Sequence, residues 1–88
     1  MIEQRREPRF ESDERGVMHM LYPQSPEPVN VRIVNVSKSG MCVRTPIFLV
    51  RNSEVKVAAT KQVIIGQVRY CVPARDGFQA GLRIVETL

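Results

Sequence analysis

Residues 29–45 read VNVRIVNVSKSGMCVRT, and the reading of this stretch decides the rest of the chain. Val29, Val31 and Ile33 alternate with Asn30 and Arg32, the pattern of a strand buried on one face. Met41–Thr45 is a second β-like run, and Pro46 stops it. Between the runs lies Asn35-Val36-Ser37-Lys38-Ser39-Gly40. Asn and Ser side chains bond nearby backbone groups, so they favour turns. Gly40 admits positive φ, or a backbone approach that a Cβ would block. The stretch is expected to be a tight polar turn presenting two hydrogen-bonding side chains close together. Taken alone, it is equally an ordinary hairpin turn.

Working outward, Val17–Tyr22 is a strand candidate, with both faces mostly apolar and the inward face left open. Three prolines between residues 23 and 28 then demand a loop. Downstream, Ile47–Val50 reads as a short loop packing inward, and Arg51-Asn52-Ser53 as a turn. Glu54–Ala59 and Val63–Val72 read as strands, the latter with Gly66 as a bulge or bend. Arg75-Asp76-Gly77 is a hairpin signal before a last strand over Phe78–Val85. Six short strands without a helix imply an all-β, antiparallel barrel, and closure removes exposed edges. At the start, Met1–Phe10 reads MIEQRREPRF. Pro8 denies it a helix, and little beyond Ile2 and Phe10 anchors it. Residues 1–10 are therefore expected to form a flexible arginine-bearing arm tethered by Phe10, and residues 11–88 the barrel. Glu11–Arg15 is a charged continuation, punctuated by Gly16.

Composition narrows the function. At 88 residues, with 43% hydrophobic and 25% charged side chains, the chain suits one small soluble domain. Its net charge of +4 points to an anionic partner. No apolar run approaches the roughly 20 residues that span a bilayer, so membrane insertion is not expected. The polar N-terminus offers no leader-like apolar stretch, and a cytoplasmic protein is expected. Cys42 and Cys71 make no CxxC or Cys/His cluster and read as reduced, buried thiols. His19, within a strand pattern, reads as structural rather than as a base or metal ligand. GxSxG, HExxH and P-loop patterns are absent, so no enzyme and no cofactor are expected.

Binding is better supported. Arg5, Arg6 and Arg9 fall within one short segment. An arginine fork matches phosphate oxygens or guanine O6 and N7 bidentately, and the guanidinium plane stacks on a base. The plainer reading is a solvated basic terminus. Arg5-x-x-x-Arg9, followed at a fitting distance by Asn35-x-Ser37-x-x-Gly40, resembles the two-part signature of PilZ domains. The resemblance covers the chain from Arg5 to about Ile84. It implies a six-stranded antiparallel barrel and the ligand cyclic di-GMP. By that resemblance Arg5 and Arg9 grip phosphate and guanine, with Arg6 as a helper. Asn35 and Ser37 bond a guanine edge, and Gly40 holds the turn. Tyr70 takes a position where the family often has a large side chain near the ligand, and is either a stacking residue or a partly buried barrel residue. Asn35 stands where many relatives have Asp; its amide offers one acceptor oxygen where a carboxylate offers two. Gln4 stands where an Arg accompanies binding of an intercalated ligand dimer.

Three functions compete. The first is a cyclic di-GMP receptor that signals when its arm orders around the ligand, read out by a separate downstream protein. The second is a PilZ-fold protein-interaction adaptor with weak or no nucleotide binding. The third, a single-strand nucleic-acid binder, is disfavoured because the chain has five aromatics and no stacking platform. No nucleic-acid polymer is therefore expected as partner.

Overall fold

The computed structural model describes residues 10–88, and among them only strands, turns and loops occur. The strands are β1 (Phe10–Tyr22), β2 (Val29–Val36), β3 (Gly40–Thr45), β4 (Glu54–Ala58), β5 (Val63–Ala74) and β6 (Gly77–Thr87). They close into an antiparallel barrel in the order β1-β2-β3-β6-β5-β4. This is the barrel the strand pattern implies. Met18, Ile33, Val43, Val55, Val57, Ile64 and Val68 fill its interior from alternating positions on five of the strands. Met18 settles the inward face of β1. Among the described residues no helix is long and apolar enough to cross a membrane.

β1 differs most from the expectation, beginning at Phe10 rather than Val17. Its first half pairs with β2, from Phe10↔Val36 to Met18↔Val29. Its second half pairs with β4, from Val17↔Ala58 to Tyr22↔Glu54. One long, bent strand thus closes the barrel. The charged stretch tolerates this because Asp13 and Arg15 are exposed and Glu14, half-buried, finds a hydrogen-bond partner, while the buried position falls to Gly16. The Asp13 carboxylate accepts a bond from Arg32 Nη1 at 2.7 Å, and Glu14 Oε2 accepts one from the Thr60 amide at 2.7 Å. Gly16 is therefore an inward strand residue, not a stop.

The connections follow the sequence signals with local differences. Leu49 of the β3–β4 loop is 1% exposed, while Ile47, Phe48 and Val50 face solvent. The Leu49 amide donates to Cys71 Sγ at 3.3 Å. Asn52 turns the chain at φ 75, a conformation Asn tolerates. β5 runs through Pro73 to Ala74, beyond the expected end at Val72. Its pairing with β4 stops at Gln67, so this far half has an open side where proline is admitted. In the hairpin, Asp76 carries φ 61, and Gly77 at φ 149 already belongs to β6. A Cβ on Gly77 would fall 2.6 Å from the Thr45 carbonyl oxygen. That glycine serves the passage of β6 past β3 as well as the turn. The register shift at Ile65/Gly66 is the irregularity expected of Gly66.

Candidate functional site

The turn after β2 is closed by its own polar groups. The Ser37 amide donates to the Gly40 carbonyl at 2.8 Å, and the Gly40 amide donates to Ser37 Oγ at 3.1 Å. The Ile84 amide donates to the Ser39 carbonyl at 2.8 Å, which ties the turn to β6. Lys38 and Ser39 at its tip are exposed, and Asn35, Ser37 and Gly40 are half-buried. Gly40 does not need its glycine for the reasons anticipated. It is not among the positive-φ residues. A Cβ there would make ordinary contacts, 3.4 Å from the Leu82 carbonyl and 3.5 Å from Ser37 Oγ.

Asn35 reaches the outer face through a bulge. Val29, Val31 and Ile33 set an alternation that would carry Asn35 inward. The pairing jumps from Ile33↔Val43 to Asn35↔Cys42, leaving Val34 as an extra residue. That shift reverses the phase. Val36 lies opposite the core residue Met41, and Asn35 lies opposite Cys42. Cys42 is buried but stands outside the interior cluster, between Met41 and Val43, which belong to it. Asn35 and Cys42 therefore share the outer face.

β5 repeats the device. Ile64, Gly66 and Val68 are buried at alternating positions, which would carry Tyr70 inward. The pairing jumps from Val68↔Leu82 to Tyr70↔Gly81. Tyr70 consequently turns outward, 44% exposed, with its ring against Gly81. A Cβ on Gly81 would come within 2.1 Å of Tyr70 Cε2. Gly81 is also the partner of Cys42. Asn35, Cys42, Gly81 and Tyr70 are thus neighbours in one row across β2, β3, β6 and β5. On the other side Glu11 of β1 pairs with Asn35, again beside a register shift. Three irregularities gather at this level of the barrel, and bulges re-aim side chains in this way next to binding and active sites.

The structure brings Asn35, Ser37 and Gly40 together at the β2–β3 turn, and it sets Tyr70 three strands along the same row, with its ring over Gly81 of β6. Arg5, Arg6 and Arg9 lie outside the described residues. Cys42 and Gly81 join the row without having been anticipated. Each bulge leaves only a partial mark in the sequence: an amide and a phenol fall in the inward phase of strands whose other inward residues are apolar or glycine, which flags a misfit without saying that the side chain turns outward. Among the described residues no three His, Cys, Asp or Glu side chains gather to hold a metal ion.

A family model described as PilZ domain matches residues 3–88, essentially the whole chain. No curated protein matches the sequence significantly.

Proposed function

The chain belongs to the PilZ domain family, and from that premise we propose that it is a cyclic di-GMP receptor that signals through its N-terminal segment. PilZ domains are binding and adaptor modules rather than enzymes, and cyclic di-GMP is the family's ligand. Asn35 and Ser37 bond a guanine edge, Tyr70 offers its ring, and Arg5, Arg6 and Arg9 close over phosphate and the second face of the base. One observation carries this reading. Phe10 pairs with Val36, the residue before Ser37, so the segment that bears the three arginines is attached to the barrel beside the turn. The first described residue after the arginine half of the signature, Phe10, therefore lies beside its second half. Ordering of the segment around the nucleotide would then change the surface offered to a separate downstream protein.

Calorimetric titration with cyclic di-GMP tests the reading. Saturable binding is expected. Arg9→Ala should weaken it by about 1–3 kcal/mol, the range of a good bidentate guanine contact, with the melting temperature unchanged. Absence of heat and of any melting shift with the nucleotide would leave the chain a PilZ-fold adaptor without a nucleotide.

A further inference from the structure

Next to the row of Asn35 and Cys42 lies a row of a different character. Arg15, Arg32, Arg44 and Gln79 are directly opposed across β1, β2, β3 and β6. All three arginines are exposed. Like charges at opposed strand positions destabilise a sheet. Among the described residues, the ion pair of this row joins Arg32 to Asp13 at 2.7 Å. Its side chains are 46% and 83% exposed, so solvent screens it and it offsets little of that repulsion. A fourth arginine, Arg75, stands at the β5–β6 tip, and the four together line one groove of about 800 Å³. None of Asn35, Ser37, Gly40 or Tyr70 borders it.

We propose that this groove docks an acidic, polypeptide segment of a partner protein. Guanidinium forks match carboxylates bidentately. A basic concavity of this kind steers an acidic chain and fixes its register. The groove also has apolar lining, in Val17, Pro46 and Phe78, and the Phe78 ring meets Phe48 edge-on at 5.6 Å. An apolar side chain of the partner therefore has a seat between the carboxylates. Nucleic acid fits less well. Asp76 lies among the lining residues, where it would repel a backbone charged at every unit but not a peptide with a neutral residue there. Polynucleotide channels also need a run of stacking aromatics, and Phe78 is the aromatic of this lining. The inference rests on the adaptor half of the proposed function and is independent of nucleotide binding.

The test is fluorescence anisotropy with the full chain and a labelled peptide of aspartates and glutamates around one central phenylalanine. Saturable binding is expected. The double variant Arg15→Glu, Arg75→Glu should bind on the order of tenfold more weakly, as loss of close charge pairs requires. Its melting temperature and its cyclic di-GMP titration should match those of the unaltered chain. Ser37→Ala, in contrast, should leave peptide binding alone. The docking surface is overturned if the peptide does not saturate, or if the double variant binds it equally well. A single-stranded oligonucleotide of equal charge that binds more tightly than the peptide, with the same loss in the double variant, would also overturn it. A failure of cyclic di-GMP binding would strike the receptor reading alone, because the peptide arm is measured without nucleotide.

Discussion

Ser37 builds the turn that presents it. Its hydroxyl accepts from the Gly40 amide, so replacing it by Ala removes a turn bond together with any ligand bond. Asn35 and Gly40 separate those effects better. A methyl at Gly40 meets only ordinary contacts, and the backbone there is not left-handed. Gly40→Ala should therefore change stability by less than about 1 kcal/mol, and in the favourable direction if anything. If the nucleotide lies against the turn, the same methyl intrudes on it. Affinity should then fall by about 1–3 kcal/mol, the usual cost of overpacking a close contact. Asn35→Asp should hold or raise affinity, since a carboxylate accepts from both N1–H and N2–H₂ of guanine. Thermal melts and calorimetric titrations of the two variants give the answer. Unchanged affinity in both would mean that the turn is only a turn.

At the scale of elements, the β3–β4 loop shows how one side chain anchors a segment without regular structure. Leu49 is 1% exposed and its amide is held by Cys71, whereas Ile47 and Val50 on either side are 40% and 62% exposed. Leu49→Ala should cost about 2–5 kcal/mol, the range for a large buried aliphatic. Ile47→Ala and Val50→Ala should stay within about 0.5 kcal/mol. Denaturant unfolding reads the contrast, and equal midpoints for all three would deny Leu49 its role. The inward-packing loop was legible because four apolar residues after Pro46 have to place at least one side chain in the core. β2 was legible for a similar reason, since Val29, Val31 and Ile33 keep strict alternation. The front of β1 was not. A run of charges reads as a solvated arm until the neighbours that pair with it are known, and here β2 supplies them. The outward aim of Asn35 and Tyr70 escaped for a related reason. A bulge is a property of two paired strands, and a single strand's pattern marks it only as an inward residue of the wrong kind.

For the molecule as a whole, the barrel and the segment before it have different relations to the ligand. Every strand of the barrel pairs on both sides over at least part of its length, and one apolar cluster dominates the interior, beside which Thr45 and Ser53 are the buried polar side chains among the described residues. A ligand on the outer face has little leverage on such a frame. The segment carrying Arg5, Arg6 and Arg9 is attached at Phe10, which is 67% exposed and so gives it a weak apolar tether. Ordering it costs about 1–2 kcal/mol of backbone entropy per residue. Charge-assisted, bidentate bonds from several arginines to phosphate and guanine can outweigh that, whereas one such bond cannot. The proposed switch therefore requires the arginines to act together. Amide hydrogen exchange with and without cyclic di-GMP should show protection gained over residues 4–10 and around residues 35–40. The inward positions of β4, β5 and β6 should exchange at the same rate in both states. A segment equally protected before and after saturation with nucleotide would leave the receptor standing and remove ordering as its signal.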